Sequence, residues 1–188
     1  VDEVWAISSF VRDSVKTQTK KPVYVFPGPI IAPKIAEKLD RDLIGLEEDD
    51  VYNLFMFDYF SVFKRKNPLD LITAHMIAFP EETGPKLVIK TLNGDSHRSQ
   101  QDQLRYAASK RNDIIVLDSY ISRNQLHSLL NECQIYISLH RSEGYGLTLA
   151  EAMALGKPVI ATGYSGNMDF MNSENSILVP YNLVPVGD

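Results

Sequence analysis

The chain has 188 residues, 44% hydrophobic and 23% charged, enough for one sizeable core or for one domain with a fragment of another. A formal net charge of -5 argues against non-specific nucleic-acid binding, which depends on lysine and arginine neutralising phosphates. The single cysteine, Cys133, excludes an intrachain disulfide, fits a reducing, cytoplasmic setting and reads as a small buried hydrophobe. No apolar run approaches the ~20 residues that span a bilayer. Val1-Asp2-Glu3-Val4-Trp5 is neither a secretory signal nor a starting methionine, so the chain is expected to be an excerpt of a longer polypeptide.

In chain order, Val4 to Ile7 reads as a strand, and Ser8 or Ser9 can cap a helix carrying Val11 and Val15. Val23 to Phe26 reads as a second strand, ended by Pro27-Gly28-Pro29. Residues 30–50 read as a polar connector with two acidic runs, Asp40-Arg41-Asp42 and Glu47 to Asp50. Beyond it the alternation is regular. Strands are expected at Tyr52–Phe57, Lys86–Thr91, Ile114–Leu117, Ile135–Leu139, Val159–Ala161 and Ile177–Val179. Between them, Asn67-Pro68 supplies a cap and first-turn proline for a helix with Leu69, Ile72, Met76 and Phe79 on its apolar face. Gln101–Lys110 is expected to be helical, Ser122 with Gln125 forms a capping box, and Leu147–Leu155 makes a further helix.

The strands are apolar without strict alternation, the mark of a parallel sheet covered on both faces. Repeated strand-helix units predict an α/β fold, a Rossmann-like doubly wound parallel sheet with helices on both faces. Such sheets bind ligands at the carboxyl ends of their strands, so the loops there are where chemistry is expected.

The richest of these loops runs from His140 to Asp169. Gly144-Tyr145-Gly146 permits a tight turn just before a helix, whose free N–H groups suit a diphosphate. The following helix is expected to be buried, being apolar nearly all round except for Thr148 and Glu151. A carboxylate there needs a partner. Sugar hydroxyls fit, and so does a structural ion pair or cap. Glu143 in the loop beside two glycines suits a ligand-facing acid, or equally a solvated one.

Taken together, Glu143, Gly144-Tyr145-Gly146, Glu151 and the trailing Gly156-Lys157-Pro158-Val159-Ile160-Ala161 resemble the donor-site signature of family 4 (group 1) retaining glycosyltransferases. That resemblance implies one half of a two-domain GT-B fold, the C-terminal donor-binding domain. It implies that residues 1–29 are a remnant of the acceptor domain and the start of a linker. It likewise makes 51–188 a donor domain truncated at its C-terminus. By resemblance Glu143 contacts the transferred sugar and is the catalytic residue of the site, while Glu151 hydrogen-bonds the ribose. Gly144, Tyr145, Gly146, Leu147 and Thr148 are expected around the sugar and diphosphate. Arg65 and Lys66, in the basic Lys64-Arg65-Lys66 cluster, resemble the lysine-bearing part of the family's diphosphate clamp. The usual glycine-arginine pair after the preceding strand is missing, with Tyr59-Phe60 roughly in its place. Tyr120 and Ile121 are expected to frame the base, Asn93-Gly94 to add a donor contact, and His140 to line the site or to serve the fold. Tyr164-Ser165-Gly166-Asn167 is a strand-end loop placed to close over the donor.

The function so implied is transfer of a sugar from a nucleotide diphosphate sugar to a glycan or lipid-linked acceptor, with retention. No metal and no cofactor are expected. Asp40-Arg41-Asp42 spells the Asp-x-Asp of metal-dependent transferases but sits in an acidic connector, and the four histidines lack ligand spacing. The acceptor is expected on the missing domain, so the fragment alone should be inactive, and the full-length protein is expected at the inner face of a membrane as a peripheral protein. Two other classes fit the same fold. One is a nucleotide-sugar epimerase, which would yield isomerised donor. The other is a non-catalytic module, against which the intact glutamate pair argues.

Overall fold

The computed structural model describes residues 1–185 and contains two parallel sheets. The smaller is a β-α-β unit: β1 (Val4–Ala6), α1 (Ser9–Lys16) and β2 (Val23–Val25), with Trp5 opposite Tyr24. Ser8 caps α1, its hydroxyl accepting the Val11 N–H at 3.1 Å.

The larger sheet has six parallel strands. In chain order its elements are β3 (Tyr52–Asp58), α2 (Phe63–Lys66), α3 (Pro68–Ala78), β4 (Lys86–Leu92), α4 (Arg98–Ala108), β5 (Ile114–Leu117), α5 (Arg123–Glu132), β6 (Ile135–Ser138), α6 (Leu147–Ala154), β7 (Val159–Thr162) and β8 (Ile177–Val179). In space the strands run β5-β4-β3-β6-β7-β8. The first six residues of β3 are all buried, because helices cover both faces. On one face Tyr52, Leu54, Met56, Val88 and Tyr136 pack with α5 and α6. On the other Phe55, Phe57, Leu87 and Ile89 pack with α3 and α4.

The connector is more than a polar spacer. Leu39, Ile44 and Leu46 are buried in the α5-side core, and Arg41 holds Glu132 at 3.1 Å. The Asp40 carboxylate accepts the Leu43 N–H at 3.2 Å at the head of a short 3-10 turn, Asp42–Ile44.

Three local expectations need correction. α3 turns Leu69, Ile72 and Met76 to the core as the apolar spacing predicts and also buries Leu71 and His75, whereas Phe79 lies beyond its end. Gln125 completes half of the expected capping box: its N–H meets Ser122 Oγ at 3.1 Å, but its side chain goes to Glu37 and the connector. α6 is not buried all round, since Leu147 is exposed by 53% and Ala154 is also exposed. It lies on the sheet through buried Leu149 and Ala152, with Met153 and Leu155 partly buried against the same core.

The position of ligand binding follows from the strand order. Chain progress reverses between β3 and β6, the switch point at which doubly wound sheets open a crevice. β3 and β4 pair from Tyr52 to Asp58, but β3 and β6 pair only through Asn53–Ile135 and Leu54–Tyr136. The carboxyl halves of β3 and β6 are therefore unpaired with each other, and the loops that follow them face one another.

Candidate functional site

Both loops are built for that meeting. After β3 the chain turns on Asp58, which accepts the Phe60 N–H, and then forms the single-turn helix α2. Phe63 stacks on buried Tyr59 with ring centroids 5.8 Å apart, seating α2 on the apolar core. Asn67 ends α2 in the left-handed conformation (φ 58°) and hands the chain to Pro68. It does not cap α3 with its side chain, as its position suggested. Its amide instead donates to the Leu139 carbonyl at 2.9 Å, and the Arg141 N–H donates to the Arg65 carbonyl at 2.8 Å. These two bonds lace the β3 loop to the β6 loop.

Across this seam Glu143 meets both expected cations. Lys66 Nζ lies 2.5 Å from Oε1, and Arg65 Nη1 lies 3.1 Å from Oε2 and 2.6 Å from the Ser142 carbonyl. Glu143 is only 8% exposed, so the carboxylate is held in place rather than solvated. One carboxylate against two cations leaves a local excess of one positive charge.

The backbone of Glu143 is fixed from the other side. Its N–H donates to Ser165 Oγ at 2.7 Å, and its carbonyl accepts the Gly166 N–H at 2.9 Å. A Cβ on Gly166 would stand 2.1 Å from the Gly144 carbonyl oxygen, so only glycine allows this approach. Ser165 has φ 82° and ψ -147°, a conformation nearly confined to glycine and costing on the order of 1–3 kcal/mol elsewhere. The Gly144 carbonyl also accepts the buried Ser8 hydroxyl at 2.5 Å, and the Ser9 N–H donates to Asp169 at 2.7 Å. The β1-α1-β2 unit thus docks directly on this loop.

The other expected residues are placed as follows. Gly146 has φ 97° and opens α6, and Tyr145 packs its ring on Phe170 at 5.0 Å. Thr148 Oγ1 accepts the Tyr136 hydroxyl at 2.8 Å. Glu151 is half-buried and has no side-chain hydrogen bond or ion pair among the described residues. His140 is buried, with Nδ1 3.1 Å from Ser138 Oγ and Nε2 3.2 Å from Asn167 Oδ1. Burial holds its pKa below the ordinary value, which keeps the ring neutral as a brace between the β6 and β7 loops. Ile121 belongs to the core, whereas Tyr120 is 84% exposed. The Asn93 amide is held by the Asp58 carboxylate at 2.8 and 2.9 Å, and Gly94 is buried against Gln101. Ser8, Asn67, Ser165 and Gly166 support the site without standing out among its expected residues. Their residue types signalled helix caps at Ser8 and Asn67 and a strand-end loop at Ser165-Gly166, but not the contacts they make here.

A cavity of about 760 Å³ adjoins the site, bounded by Arg65, Asn67, Arg141, Thr162, Tyr164 and Tyr181 among others. Among the described residues no three His, Cys, Asp or Glu side chains gather as a cation site, and no helix is long and apolar enough to cross a membrane.

Residues 53–183 match the family model described as "Glycosyl transferases group 1". The chain belongs to this family. The group 1 transferase chain is 36% identical over 89 residues to the UDP-N-acetylglucosamine–peptide N-acetylglucosaminyltransferase GtfA subunit of Streptococcus agalactiae, covering 46% of the chain and 17% of that relative. In three dimensions it resembles sucrose-phosphate synthase from Thermosynechococcus elongatus, with TM-score 0.72 and 19% identity over 96% of the chain and 45% of the synthase. It also resembles the pneumococcal O-GlcNAc transferase GtfA in complex with UDP and GlcNAc, with TM-score 0.65 and 18% identity over 97% of the chain and 34% of that protein. These structural likenesses establish the fold of one GT-B half. The chain spans less than half the length of each of these relatives.

Proposed function

We propose that the chain is the donor-binding half of a retaining, family 4 glycosyltransferase that moves a sugar from a nucleotide diphosphate donor to a glycan or lipid-linked acceptor. The observation that carries this reading is the convergence of Glu143, Arg65 and Lys66 at the switch-point crevice between β3 and β6.

The chemistry required is departure of a diphosphate from the anomeric carbon as the acceptor oxygen bonds to the same face. Negative charge grows on the leaving oxygen, and fixed cations there lower the barrier. A lysine ammonium has three N–H donors and a guanidinium five, so contact with Glu143 leaves Lys66 and Arg65 free donors for phosphate oxygens. Glu143, held by those cations and by the Ser165-Gly166 backbone, is a fixed acceptor for a sugar hydroxyl. Glu151, without a side-chain partner among the described residues, is available to the ribose hydroxyls. The acceptor binds in the remainder of the full-length protein.

Titration of the full-length protein with nucleoside diphosphates and with inorganic phosphate tests the reading. Clear preference for a nucleoside diphosphate, lost by about tenfold or more in Lys66→Ala, is expected. In Glu143→Gln the affinity should persist while transfer falls by roughly a hundredfold. Equal affinity for nucleoside diphosphates and phosphate would remove the basis of the proposal.

A further inference from the structure

Lys90 lies at the carboxyl end of β4, in register with Met56 of β3 and Leu117 of β5. It is 3% exposed. Lysines are almost never so buried unless paired, because a desolvated ammonium without an anion is costly. Lys90 has no carboxylate within ion-pair distance among the described residues, and its recorded bond is to the carbonyl of its own neighbour, Thr91. Two N–H donors are left without partners.

The nearby acid does not meet the need. Side chains alternate along β4, so Val88 and Lys90 face α5 and α6 while Ile89 and Thr91 face α3 and α4. Asp118 is taken up with Thr91 on that second side, bound to the Thr91 hydroxyl and to Arg105 Nε of α4, the latter at 2.6 Å. Burial draws the Lys90 ammonium below its ordinary pKa, with Asp118 acting in the opposite sense.

α6 packs on this same side of the sheet, over β6 and β7, and carries Glu151, half-exposed and without a side-chain partner among the described residues. The two do not pair with each other. A buried cation on β4 and an acid on the helix that covers the same side of the sheet, neither paired with an opposite charge among the described residues, suit a ligand that offers an anionic oxygen to one and hydroxyl donors to the other. A ribose diphosphate has both. We propose that Lys90 is a further donor-site residue, one that takes a phosphate oxygen of the nucleoside diphosphate whose ribose Glu151 holds. It supplies the cation missing where Tyr59-Phe60 replaces the glycine-arginine pair. The inference rests on the donor-site reading above and adds a residue to it.

The test is calorimetric titration of full-length wild type, Lys90→Met and Lys90→Arg with uridine, guanosine and thymidine diphosphates and with the corresponding nucleosides. Melting temperatures of the ligand-free proteins are measured alongside. Lys90→Met should weaken the diphosphate that wild type binds by roughly tenfold or more, leave the nucleoside unchanged, and melt at or above the wild-type temperature, because an unpaired buried charge has been replaced by an apolar side chain of similar length. Lys90→Arg should keep most of the affinity. Unchanged diphosphate affinity in Lys90→Met overturns the proposal alone. So does an equal loss for diphosphate and nucleoside, or a fall of several degrees in melting temperature, which marks a structural lysine. A wild-type protein that binds none of the three diphosphates removes the donor-site reading, and this inference with it.

Discussion

Lys66 Nζ sits 2.5 Å from Glu143 Oε1 across the cleft that separates β3 from β6. The contact ties the loop after one strand to the loop after its neighbour at the point where the sheet reverses direction. Arg65 reinforces it from the adjacent position on α2. The residue expected to hold a sugar is thus fixed by the residues expected to hold a diphosphate, so the two functions share one electrostatic unit.

That unit should show energetic coupling. Glu143→Gln and Lys66→Met should each cost about 1–3 kcal/mol, because each leaves a poorly solvated charge short of its partner. The double variant should cost less than the two singles together, with a coupling of about 0.5–3 kcal/mol in urea unfolding. Strictly additive costs would mean that the two groups do not interact in solution.

Gly166→Ala forces a methyl against the Gly144 carbonyl, 2.1 Å away in the present geometry. Both atoms belong to or hang directly from backbone, so neither can step aside cheaply. A loss of about 3 kcal/mol is expected in denaturant unfolding. Gly28→Ala is the control, since a Cβ there meets nothing within 4 Å and should change stability by less than about 0.5 kcal/mol.

Ser8 serves two partners, accepting from Val11 N–H and donating to the Gly144 carbonyl. Ser8→Ala should lower stability by about 1–2 kcal/mol through the lost cap and an unsatisfied carbonyl. Hydrogen exchange should locate the effect: amides from Ser142 to Gly146 exchange faster in the variant. Protection unchanged in that loop would show that the β1-α1-β2 unit does not brace it.

His140 predicts a pH dependence. Its folded pKa is held below the ordinary 6.5 by burial, so the unfolded chain takes up a proton more readily. The stability it contributes is complete above about pH 6.5 and is lost as the pH falls from there toward the folded pKa. Wild type should therefore lose more melting temperature between pH 7.5 and pH 5 than His140→Asn does. Parallel losses in the two proteins would assign the effect to other groups.

The Cys133 thiol, buried beside the Leu130 carbonyl, is pushed up to about 12 by burial. It should resist an aromatic disulfide reagent at pH 8 in the native protein and react fully in urea. Rapid labelling under native conditions would show that the α5–β6 corner opens.

Much of the architecture was legible in the residues. Uninterrupted apolar runs such as Leu54-Phe55-Met56 and Leu87-Val88-Ile89 declare strands covered on both faces, because only a two-sided core tolerates them. Ser8 and Ser122 announced their helix starts, since a cap is satisfied by N–H groups two or three residues away. Glu143, Gly144 and Gly146 were recognisable as one local pattern. The four-residue α2 left no trace, being too short for a helical period. Asn67 looked like a cap because its type and place suit one, but a left-handed backbone turns its amide to Leu139.

Local spacing thus determined the strands, the serine-capped helix starts and the glycine-framed glutamate, all of which depend on neighbours within a turn or two, whereas α4 begins at Arg98 rather than at the expected Gln101. Only the tertiary structure decided that Glu143 would meet Arg65 and Lys66, that Ser8 would reach Gly144, and that Lys90 would be buried without a carboxylate partner among the described residues. The reason is strand order. The sheet sets β6 beside β3 rather than beside β5, and that choice is made by the packing of whole faces, which no short stretch of chain encodes.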